Sequence, residues 1–61
     1  MFEVEISIFK EIKADLRLNF PHGGFVIIIG EEVLGVWENR LDALKAGFEK
    51  CGDFHFFIRK L

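Results

Sequence analysis

The chain has 61 residues, 51% of them hydrophobic and 30% charged, with a formal net charge of −2 at pH 7. This length predicts one small domain, which buries only about 60% of the surface that its unfolded chain exposes. The weak negative charge disfavours nucleic-acid binding, because it creates no positive field that would concentrate phosphate backbones.

The first segment suits both a helix and a strand. Residues 2–8 alternate between apolar and polar, as in a strand. However, no Gly or Pro interrupts residues 5–18, and good helix formers fill the second half of that span. We therefore predict a helix over residues 5–18, ended by Pro21, with a strand over residues 2–8 as the alternative. Steps of three and four separate its apolar residues, which are Phe2, Ile6, Phe9, Ile12, Leu16 and Phe20.

Residues 25–37 predict a β-hairpin, entered through the flexible pair Gly23 and Gly24. Gly30-Glu31 is typical of the two-residue loop of a type II′ turn. Ile28 then faces Val33, Ile27 faces Leu34 and Phe25 faces Val36. Both faces of the hairpin are apolar, so each needs a cover. One face carries Phe25, Ile27, Ile29, Leu34 and Val36, and the other carries Val26, Ile28, Val33 and Trp37.

A second helix is predicted after Trp37. Asn39 is a favourable N-cap with Asp42 three residues later, and Gly52 suits a left-handed C-cap. Gly47, four residues after Ala43, indicates close approach of this helix to the sheet. The predicted apolar stripe comprises Leu41, Leu44, Phe48 and Cys51, which would leave Cys51 buried and inert.

The last run, residues 53–61, predicts a strand with Phe54, Phe56 and Ile58 on one face and His55, Phe57, Arg59 and Leu61 on the other. The fold class is then α+β, a single domain over residues 1–61 in the order α-β-β-α-β. Phe25–Ile29 is the most hydrophobic strand, so we place it at the centre of a three-stranded antiparallel sheet packed against two helices. A last strand beside residues 33–37 would instead give a mixed sheet.

The apolar faces raise the question of a partner. We predict that the chain is a homodimer, or contacts another protein, through the sheet face that its two helices leave open, because several large side chains would be exposed there. One helix on each face would satisfy the same residues within a monomer. The residues that we expect at a protein interface are Trp37, Phe57, Arg59 and Phe25.

Few residues could support catalysis or bind a cofactor. Cys51 and His55 are the one plausible nucleophile–base pair, but a helix C-terminus opposes a thiolate. His22 and His55 match no metal-binding spacing. The order helix, glycines, strand is the reverse of a phosphate-binding loop. We therefore expect no enzyme activity, cofactor, metal site or small-molecule substrate.

The cellular compartment is predicted from cysteine usage and hydropathy. A single cysteine excludes an internal disulfide and fits a reducing compartment. No charged and then apolar leader opens the chain, and its longest apolar run is far shorter than the ~20 residues that span a bilayer. We expect a cytoplasmic protein without membrane association.

From Pro21 onward the chain resembles a widespread set of small bacterial proteins and domains of unknown function. The resemblance is carried by Gly30-Glu31-Glu32-Val33, by Asp42-Ala43-Leu44 and by Gly52. It implies the same order of hairpin, helix and strand, and a bacterial or phage origin. It implies no activity and no catalytic residues.

Three functions are compatible with these observations. The favoured one is a non-enzymatic protein that acts through protein–protein contacts and associates with itself. The second is a small acidic inhibitor or accessory subunit that binds a larger protein, a role that fits a phage-encoded chain. Gene neighbourhood would distinguish the first function from the second. The third is an enzyme whose site, formed across a dimer interface, uses Cys51, His55 and Arg59.

Overall fold

The computed structural model describes all 61 residues as two helices and three strands. In chain order these are α1 (Glu3–Asn19), β1 (Phe25–Ile29), β2 (Glu32–Trp37), α2 (Arg40–Cys51) and β3 (Phe57–Lys60). The predicted α+β class and the order α-β-β-α-β are confirmed. The first segment is a helix, so the alternative of a strand over residues 2–8 is wrong.

The three strands form one antiparallel sheet in the order β2-β1-β3. The central position predicted for β1 is confirmed, and the mixed-sheet alternative is wrong. Val26, Ile27 and Ile28 of β1 are completely buried. These three consecutive residues can all be apolar because β1 is paired on both edges and covered on both faces.

The hairpin loop is the predicted pair Gly30-Glu31, since Ile29 pairs with Glu32. Gly30 has a φ of 61°, and no residue other than glycine has a positive φ. This combination fits a type II′ turn, because a type I′ turn would also need a positive φ at Glu31. The backbone N–H of Gly30 donates to Glu5 Oε2 at 3.0 Å, which ties the start of α1 to the loop.

We expect Gly30→Val to destabilise the protein more than Glu31→Ala. A β-branched residue at positive φ carries about 1–3 kcal/mol of backbone strain, although nothing lies within 4 Å of the position that a Cβ would occupy. Glu31 is exposed, so its truncation should change stability by less than about 0.5 kcal/mol. Urea unfolding measures both changes. Equal unfolding midpoints for the two variants would show that the positive φ at position 30 does not require glycine.

A β-bulge in β2 corrects the predicted register. Ile28 pairs with Val33 as predicted, but Ile27 pairs with Gly35, so Leu34 is the extra residue. Beyond the bulge, the predicted pairs Ile27–Leu34 and Phe25–Val36 are wrong. Val36 lies on the opposite face from the one predicted, and so does Trp37, which packs over Gly35. A single extra residue reverses every later side chain, because the strand repeat is two.

The two helices cover opposite faces of the sheet. Phe9 of α1 packs with Val26, Ile28 and Phe57, whereas Ala43 of α2 packs with Ile27 and Phe56. The prediction that one sheet face is open to a partner is therefore wrong. Both apolar faces of the hairpin are covered within the chain, by the arrangement with one helix on each face.

The caps of α2 confirm the local signals. Asn39 accepts a hydrogen bond from the N–H of Asp42 at 2.9 Å, and Gly52 adopts a φ of 80° while its N–H donates to Phe48 O. The close approach predicted at Gly47 is also observed. A Cβ built there would overlap the ring of Phe56, so only glycine allows α2 to pack this closely against the ring.

The last strand is shorter than predicted, because β3 begins only at Phe57. The N–H of His55 donates to Asp53 Oδ1 at 2.9 Å, a local turn that competes with sheet pairing. Phe54 and His55 are consequently exposed loop residues rather than strand residues. This correction places Phe54 on the outside of α2.

Candidate protein-interaction surface

The outer side of α2 carries the main exposed apolar surface that we identify. Ala43 and Gly47 are buried against the sheet, so the residues on the far side of the helix point away from it. Leu41 is 71% exposed, Phe48 43% and Phe54 63%. These three line one shallow depression together with Leu44, Lys45 and Glu49. We call this set of six residues the α2 patch.

The C-cap of α2 brings Phe54 into the α2 patch. Gly52 turns the chain back at the end of the helix, and the ring centroids of Phe48 and Phe54 then lie 4.8 Å apart. Phe54 also contacts the buried ring of Phe56, at 6.3 Å between centroids. This anchoring holds the exposed ring of Phe54 against the helix.

Two opposite charges border the apolar part of the α2 patch. Lys45 and Glu49 are both exposed and stand one helical turn apart. Neither belongs to an ion pair within the chain, where the pairs join Met1 with Glu3 and His55 with Asp53. The border of the α2 patch is thus neutral overall and retains one free cation and one free anion.

The four residues predicted for a protein interface do not share a surface. Phe57 is only 4% exposed and packs beneath α1, so it offers almost no surface to a partner. Arg59 is exposed and stacks over the Phe57 ring at 5.1 Å. Phe25 and Trp37 are a cross-strand pair on the opposite face, half-buried in the cluster under α2.

The three residues considered for a site across a dimer interface have different surroundings. Cys51 packs half-buried in the α2 cluster, rather than fully buried as predicted, and Arg59 lies over the other sheet face. His55 is exposed, with its Nδ1 3.8 Å from Asp53 Oδ2. No group of three or more His, Cys, Asp or Glu side chains could hold a metal ion. Neither helix combines the length and the hydropathy that a membrane span requires.

The α2 patch was not predicted from the sequence, because the spacing of Leu41, Leu44 and Phe48 is typical of one buried helix face. The signal that could have revealed it was the pair Ala43 and Gly47. Small residues on one side of a helix mark the side that approaches the sheet, which places Leu41 and Phe48 on the other side. Phe54 could not be assigned to the patch, because its position depends on where β3 begins.

The fold and the surface define a small α+β domain with an apolar patch on one helix. Comparisons with protein-family models, with curated proteins and with solved structures each found no match to the chain.

Proposed function

We propose that this chain is a non-enzymatic protein that acts through protein–protein contacts and associates with itself, in a bacterial cytoplasm. The observation that carries the proposal is the α2 patch. The sheet has no open face, yet Leu41, Phe48 and Phe54 remain exposed side by side. Contiguous apolar surface of this kind marks an interaction site more often than scattered apolar residues do.

The energetics favour a protein partner for the α2 patch. Complete burial of a Leu or Phe side chain contributes about 1.5–3 kcal/mol. The exposed ring of Phe54 is already held by Phe48 and Phe56, so little side-chain entropy is lost when a partner covers it. Aromatic residues such as Phe48 and Phe54 are enriched at protein interfaces relative to the rest of the protein surface.

Leu41→Ser is expected to weaken self-association about tenfold, because part of the apolar contact is lost. Sedimentation over a micromolar concentration series measures the change, starting from a wild-type mass of about twice 7.1 kDa. Leu18→Ser is the matched control, since Leu18 is 79% exposed on α1, outside the α2 patch. It should leave the dissociation constant unchanged.

A wild-type protein that sediments at 7.1 kDa throughout this series would refute self-association. Equal weakening by the two leucine variants would instead exclude the α2 patch as the contact. In the first case, affinity purification from the native host would show whether the chain binds a larger protein, as the inhibitor or accessory-subunit function requires.

A further inference from the structure

We propose that two copies of the chain pair through α2 in antiparallel orientation, with Lys45 of each copy opposite Glu49 of the other. This proposal rests on the proposed function and specifies its geometry. The occupant of the α2 patch is then a second copy of this chain, related to the first by a twofold axis.

The charges of the α2 patch favour a second copy over an unrelated partner. A patch that selects an acidic or a basic partner carries charges of one sign, whereas this one carries Lys45 and Glu49, both unpaired. In a twofold contact each residue i that meets residue j is matched by j meeting i. If the two antiparallel α2 helices cross near residue 47, Lys45 of each copy lies opposite Glu49 of the other. The contact then contains two equivalent pairs of opposite charges.

The apolar residues obey the same symmetry. With the crossing near residue 47, Leu41 of one copy lies opposite residues 52–54 of the other. Gly52 has no side chain, and a Cβ built on it meets nothing within 4 Å. The leucine thus enters the space beside the Phe48–Phe54 ring pair, and the same contact repeats at the other end. Leu41 to Phe48 spans about 10 Å of helix at 1.5 Å per residue.

A charge-exchange experiment tests this geometry. Lys45→Glu alone and Glu49→Lys alone should each associate at least about tenfold more weakly than the wild type, because both cross-pairs become repulsive. An equimolar mixture of the two variants should regain association, since each chain then meets only opposite charges. The double variant K45E/E49K should also associate like the wild type.

Sedimentation at low ionic strength measures all four samples, and circular dichroism verifies that each variant is folded. Lys10→Glu is the control for net charge, because Lys10 is exposed on α1 outside the α2 patch. It should bind as the wild type does.

Three results would overturn the proposal, and they differ in whether self-association is retained. Single variants that associate as tightly as the wild type, or a mixture that stays as weak as its components, would exclude the antiparallel pairing but retain self-association. A wild-type monomer at every concentration would refute both the pairing and the proposed self-association.

Discussion

Gly24→Ala is expected to lower the free energy of unfolding by about 2–6 kcal/mol, the sum of backbone strain and crowding. Gly24 is buried immediately before β1 and has a φ of 147°, a value that L residues rarely adopt. A Cβ built there would lie 2.9 Å from Trp37 O and 2.9 Å from Val36 Cγ1. The carbonyl cannot move aside without disturbing β2.

Gly23→Ala is the matched control for this substitution. Gly23 has a φ of 86°, so alanine is strained there too, but the nearest atom to its Cβ would be Leu61 O at 3.8 Å. The difference between the two variants isolates the crowding, about 1–3 kcal/mol. Urea unfolding of both provides the measurement. Equal losses would show that β2 yields to the added methyl group.

Ile27→Ala is expected to lower the free energy of unfolding by about 2–5 kcal/mol. Ile27 is completely buried at the centre of the sheet and packs with Ala43 and Phe56 beneath α2. Removing its side chain leaves a cavity that helix and sheet cannot fully close. A chain of this size has only about 3–9 kcal/mol of total stability, so a large fraction of the variant should be unfolded at 37 °C.

Two controls establish that the loss at Ile27 comes from the cavity. Ile27→Val removes one methylene and should cost about 0.5–1.5 kcal/mol. Val33→Ala, at a 38% exposed site on an edge strand, should change stability by less than about 1 kcal/mol. Thermal unfolding at one fixed protein concentration measures all three, because self-association would make the midpoint depend on concentration. Similar losses for Ile27→Ala and Val33→Ala would contradict the central role of Ile27.

Local signals were sufficient to predict the five elements and several of their ends, but not the start of β3. Pro21 follows α1 closely, Asn39 and Gly52 cap α2, and Gly30-Glu31 forms the hairpin loop. Each of these depends on backbone geometry within a few residues, which the residue type itself restricts. The central position of β1 also followed from the sequence, because a continuous apolar run requires cover on both faces.

Tertiary packing decided the bulge at Leu34, the placement of the helices on opposite faces and the exposure of the α2 patch. The bulge could not be predicted, because Val36 and Trp37 are both apolar and fit either face of the sheet. The orientation of α2 follows from the close packing of Gly47 against the Phe56 ring. These residues are nine positions apart, and no local sequence pattern predicts the geometry of their contact. That fit turns Leu41 and Phe48 outward, and so the surface on which the proposed function depends was set by packing rather than by periodicity.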